Sequence, residues 1–122
     1  MLLKDFYTVI HSNQVEGDFI TEIKIDKDHR IYNGHFPGRP VTPGVILMQL
    51  FKEEAERQFN CSLELETASN IKFMAVVDPN QGGNFILQSN IQKENGSLKL
   101  KGIAQYNGCI ALKINSIYKI LP

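Results

Sequence analysis

The chain has 122 residues, room for one compact domain and too few for two. Its hydrophobic share is 43% before glycine is counted, which is usual for a folded globular domain and excludes a disordered one. Thirteen Lys and Arg balance thirteen Asp and Glu, so there is no basic field to displace phosphate counterions, nucleic acid is excluded as a main partner, and zero net charge favours self-association.

The longest uncharged apolar stretch, residues 41–51, falls short of the roughly 20 residues a bilayer span needs. Lys4 and Asp5 interrupt the apolar N-terminus where a signal peptide would be continuous, so a cytoplasmic protein without a membrane span is expected. Cys61 and Cys109 stand in neither a C-x-x-C nor a zinc-ligand spacing. Both read as buried thiols, with no metal site and no cofactor.

In chain order, residues 6–11 form a short first strand, and residues 19–25 a second, in which Ile23 and Ile25 alternate with Glu22, Lys24 and Asp26. A loop follows that carries three prolines and three glycines between Asn33 and Val45. Proline fixes φ and glycine permits close approach, so this density preorganises the side chain it holds, His35.

Thr42-Pro43-Gly44 supplies an N-cap and a first-turn proline, and Leu47, Leu50, Phe51, Ala55 and Phe59 recur at helical spacing, which predicts a helix over residues 43–60. Its first turns are apolar all round (Val45, Ile46, Leu47, Met48), so something must enclose them. Lys52, Glu53, Glu54, Glu56 and Arg57 make the later turns polar.

Residues 63–77 read as a strand ended by the turn cluster of residues 78–83. Three strands with one buried face each follow: Phe85, Leu87, Ile91; then Leu98, Leu100, Ala104, Tyr106; then Ile110, Leu112, Ile114, Tyr118, Ile120. Asn95-Gly96 and Asn107-Gly108 separate them, and Asn-Gly tolerates the positive φ angles of a tight type I′ turn, so the three pair consecutively and antiparallel. The whole is a single α+β domain over residues 1–122, a curved antiparallel sheet enclosing one helix.

The run His35-Phe36-Pro37-Gly38, followed by Pro40-Val41 and Pro43-Gly44-Val45-Ile46, resembles the signature of the hotdog-fold 3-hydroxyacyl-acyl carrier protein dehydratases. In that family a long central helix is wrapped by an antiparallel sheet, the order of elements derived above. Ile71-Lys72-Phe73 with Val76 and Asp78-Pro79 resembles the family's strand after the helix.

The resemblance implies chemistry. Dehydration of a 3-hydroxyacyl thioester needs a base beside the carbonyl, a donor for the enolate-like oxygen and an acid for the leaving hydroxyl. His35 falls at the family's catalytic histidine, and Gly44, in the first helical turn, at the residue whose backbone N–H polarises the thioester carbonyl. The family's acid, an Asp or Glu reaching across from the other subunit, is here Gln49, an amide with no proton to release at neutral pH. Glu53, one turn on, is a candidate substitute acid.

Residues implied to line an acyl slot are Phe36, Pro37, Gly38, Val45, Ile46 and Met48, and those implied to meet an acidic carrier protein are Arg39 and Lys72. The function implied is a dehydratase of fatty acid or polyene-type lipid biosynthesis, acting as a homodimer on an acyl carrier protein or coenzyme A thioester. The alternatives are a degenerate acyl-binding subunit, or a heterodimer half paired with a complete dehydratase subunit, and third an acyl thioesterase.

Overall fold

The computed structural model describes residues 2–3, 5–33 and 42–122. Six strands form one antiparallel sheet: β1 (Tyr7–Val15), β2 (Asp18–Ile25), β3 (Leu63–Phe73), β4 (Phe85–Glu94), β5 (Ser97–Tyr106) and β6 (Cys109–Ile120), in the spatial order β1-β2-β4-β5-β6-β3. Among the described residues the one α-helix, α1 (Gly44–Phe59), lies in its curve. A six-stranded antiparallel sheet around one helix is the hotdog fold.

The C-terminal meander follows from its turns. Asn95-Gly96 and Asn107-Gly108 both have positive φ at the two central residues, as type I′ hairpins require; the first sets Leu87 opposite Ala104 and the second sets Ala104 opposite Leu112. Glu16-Gly17 closes β1 on β2 in the same way, which lets β1 run to Val15 beyond the expected end at residue 11. β1 is an edge strand whose residues after Tyr7 are all exposed, so no alternation marks it in the sequence.

Leu47, Leu50, Phe51 and Ala55 of α1 pack on Phe85, Leu87, Leu98, Leu100, Leu112 and Ile114 of the sheet. Phe51 fits because residue 102 is glycine: a Cβ there would stand 2.6 Å from the Phe51 ring. The helix ends at Asn60, which takes the left-handed conformation and returns its N–H to the Glu56 carbonyl.

β3 stops at Phe73, short of the expected residue 77, because the chain then leaves the sheet and the Val77 carbonyl accepts from Thr42 N–H at 2.9 Å. Two further expectations are corrected. Cys109 is exposed and Cys61 only half-buried, so neither is a buried thiol. The later turns of α1 are not uniformly polar outward: Glu53 and Glu54 are wholly buried, whereas Val45 at the apolar end is 70% exposed.

Candidate functional site

His35, Phe36, Pro37, Gly38 and Arg39 lie outside the described residues. The residues flanking that loop are firmly held. Tyr32 Oη and Thr42 Oγ1 are 2.8 Å apart in a buried hydrogen bond, and the Phe6 ring packs on Tyr32 and His29 at centroid distances of 5.9 and 5.5 Å. Burial pushes the Tyr32 phenol up to about 12.

Gly44 is the first residue of α1. Intrahelical bonding starts with Ile46 N–H to the Pro43 carbonyl at 3.0 Å, so the amides of Gly44 and Val45 are among those the helix leaves over, at its positive end. Pro43 at the N-cap has no side-chain oxygen to occupy them. The Phe73 ring rests against Gly44, where a Cβ would come within 2.7 Å of it.

Beside this helix end a groove of about 230 Å³ is lined by Val45, Met48, Gln49, Lys52, Leu65, Ile114 and Tyr118. It runs between the N-terminal half of α1 and the inner side of β3 and β6. Three sequence-predicted residues thus converge here: Val45, Met48 and Gln49. Ile46 packs against the core, and Lys72 lies opposite Lys113 on the sheet's outer face, in a polar hollow shared with Lys101 and Asn115.

Sequence reasoning missed Lys52, Leu65, Ile114 and Tyr118. Lys52 follows Gln49 by three residues, which puts it on the same helical face; that spacing was the available signal. The strand residues had none, since only the folded sheet brings them to α1.

Gln49 is fixed from behind. Its Nε2 donates to Glu53 Oε2 at 3.0 Å, and the same carboxyl accepts from Leu3 N–H at 3.0 Å and from Tyr7 Oη at 2.9 Å. Glu53 is fully buried and does not line the groove. The network continues: Arg57 donates to Tyr7 Oη and, at 3.0 Å, to Glu54 Oε1, while Thr21 donates to the other Glu54 oxygen. Burial holds the Tyr7 phenol well above its ordinary value despite the Arg57 guanidinium beside it. The two buried glutamates are therefore met by donors from β1, β2 and the helix itself, as buried carboxyls must be.

Among the described residues, no three His, Cys, Asp or Glu side chains converge as a metal site would need, and no helix is long and apolar enough to cross a membrane.

Residues 11–111 match the family described as ApeI-like, ApeI dehydratase. The 3-hydroxyacyl-acyl carrier protein dehydratase FabZ of Caulobacter sp. strain K31 is 31% identical over 88 residues, covering 66% of this chain and 54% of that protein. FabZ of Wolbachia pipientis wMel is 39% identical over 87 residues, covering 62% and 57%. The chain thus spans little more than half the length of these relatives. In three dimensions it is similar to the dehydratase heterocomplex ApeI:P from Xenorhabdus doucetiae, with a TM-score of 0.70 at 19% identity, covering 94% of this chain and 97% of that one. The match runs from β1 into β6 and so takes in α1 and the loop between β2 and α1, and on that ground the chain belongs to the ApeI-like dehydratase family.

Proposed function

We propose that this chain is a subunit of a dehydratase that eliminates water from a 3-hydroxyacyl thioester carried by an acyl carrier protein. The observation that carries the reading is a largely apolar groove beside the amides that the helix N-terminus leaves over, with the Gln49 side chain fixed in its wall next to Lys52. An acyl chain fits the apolar lining, and the helix end suits a carbonyl oxygen that gains negative charge. His35 is the base in this reading, on the family resemblance.

The site is shared between two subunits. β3 is the edge strand at the opposite side of the sheet from β1; Leu65, Phe73, Met74 and Val76 on or just after it are 44 to 62% exposed, and Val45 is 70% exposed. A second subunit laid along that edge would cover them and close the groove.

The proton for the leaving hydroxyl has two sources. Gln49 has none to give, and Glu53 is buried away from the groove. Lys52 lines the groove and forms no ion pair with any described residue, so its ammonium can serve in a homodimer. Alternatively the acid comes from a different, complete dehydratase subunit, and the Gln49 carboxamide in the place of an acid favours this second reading.

The test is to mix the purified chain with a 3-hydroxyacyl carrier protein, with and without a complete dehydratase subunit, and follow product mass. Loss of one water that disappears in His35→Ala supports the reading, and hydrolysis to the free thiol would replace it by a thioesterase. Turnover by the chain alone that collapses in Lys52→Met assigns the proton to Lys52; turnover only with the partner, indifferent to Lys52→Met, assigns it to the partner's acid.

A further inference from the structure

Gln49 can be read more closely than as a lost acid. Glu53 accepts from Leu3 N–H at one oxygen and from Tyr7 Oη at the other, and it is the amide nitrogen of Gln49 that donates to it. The carboxamide is planar, with oxygen and nitrogen on opposite sides of the Cδ atom. Fixing Nε2 therefore fixes Oε1, for which no described residue supplies a donor.

Glu53 is itself held in place by Leu3 N–H and Tyr7 Oη, and both oxygens of its carboxyl are engaged. It cannot swing round to release the amide. Gln49 lines this groove and also a polar hollow with Leu2, Lys52 and Glu56; with its nitrogen taken, what it offers an occupant of the groove is a carbonyl oxygen beside the apolar Val45, Met48, Leu65 and Ile114, with Lys52 and Tyr118 in the same wall. A carbonyl in such surroundings repels other acceptors and welcomes a hydroxyl.

Resting on the dehydratase reading, we infer that Gln49 Oε1 is the hydroxyl-recognising acceptor of this groove and that Glu53 is the positioning residue that turns it inward. The pair selects 3-hydroxyacyl groups over acyl groups that lack the hydroxyl. An acid at position 49 would be both donor and acceptor; this arrangement is acceptor alone, so it holds the hydroxyl by its proton and leaves the oxygen's lone pairs open to a donor elsewhere. Lys52, on the same face of the helix, is one such donor.

The experiment measures binding, without turnover. Amide isosteres of 3-hydroxyacyl- and acyl-pantetheine, nitrogen replacing sulfur so that elimination does not compete, are titrated into the full chain by calorimetry, with short, medium and long acyl chains. The native chain should bind the 3-hydroxy compound about tenfold more tightly than its deoxy partner, the factor expected of one neutral hydrogen bond. Gln49→Met, similar in shape but without an acceptor, should lose that factor while keeping its affinity for the deoxy compound. Glu53→Gln, which lets the amide turn over, should lose most of it too, and the exchange-slowed Gln49 side-chain amide resonances should collapse to solvent-exposed behaviour. If Gln49→Met keeps the tenfold preference the inference is overturned, whatever Glu53→Gln does to the fold. If neither compound binds at any chain length, it is the acyl-thioester reading itself that fails.

Discussion

Gln49 and Glu53, one helical turn apart on α1, are joined by a 3.0 Å hydrogen bond in which a side chain of the groove donates to a carboxyl of the core. Removing the acceptor strands three donors at once: Leu3 N–H, Tyr7 Oη and Gln49 Nε2. Glu53→Ala should therefore cost about 2–5 kcal/mol of stability, whereas Glu53→Gln, which keeps one acceptor oxygen, should cost about 1–2 kcal/mol. Urea unfolding followed by circular dichroism measures both; a loss below about 1 kcal/mol for Glu53→Ala would mean that water already serves these donors.

Gln49→Glu would place a carboxyl where the proposed reading calls for an acid, and it should behave badly. It sets a second carboxyl within hydrogen-bond reach of Glu53, and two such groups cannot both carry charge, so the folded variant keeps a proton that the unfolded chain releases. A proton held more tightly in the folded state gives stability that is present at low pH and lost as pH rises. The variant should match the native melting temperature near pH 4 and fall progressively below it toward pH 8. Parallel melting curves across that range would refute the proton-sharing argument.

Two glycines separate close approach from true constraint. At Gly102 a Cβ would meet Phe51, a fully buried ring with nowhere to go, so Gly102→Ala should destabilise by about 1–3 kcal/mol. At Gly44 the same atom would meet the far end of Phe73, which is 54% exposed and can swing aside. Gly44→Ala should stay within about 1 kcal/mol of the native chain in the dissociated subunit, where only an exposed ring has to shift, and cost more where a second subunit covers Phe73. A thermal melt of each variant decides between these outcomes.

Ionisation of its buried phenols should unfold the chain in alkali. All four tyrosines, Tyr7, Tyr32, Tyr106 and Tyr118, have phenols raised above their ordinary value of 10, burial being the main cause, and Tyr32 reaches about 12. A phenol raised in the folded state contributes stability fully present below 10, which is lost as pH climbs through the window from 10 to about 12. Phenolate absorbance should appear in step with loss of the far-ultraviolet signal. Tyrosines that titrate near 10 with the fold intact would contradict the burial described here.

Much of this architecture was legible because its signals are local. Asn95-Gly96 and Asn107-Gly108 specify their own turns, and the alternation from Phe85 onward specifies which face of each strand is buried. Pro43-Gly44 at one end and Leu47, Leu50, Phe51 and Ala55 within gave the helix to within a residue. What could not be read is non-local. Glu53 and Glu54 look like a solvated face because a charged residue is usually exposed, and the groups that permit their burial, Tyr7 and Thr21, lie 46 and 33 residues away in the chain. Lys52 and the strand side of the groove were hidden for the same reason, whereas Gln49 was visible as a departure because the family resemblance marked its position in advance.

Burial of the Glu53 carboxyl has a consequence for the history of the chain. Restoring an acid at position 49 while Glu53 stays in place sets two carboxyls against each other, and losing Glu53 first strands the donors around it. Each single step is penalised and only the double exchange leads back, so the two positions are epistatically locked. Among relatives that keep this helix, residues 49 and 53 should therefore change together or not at all.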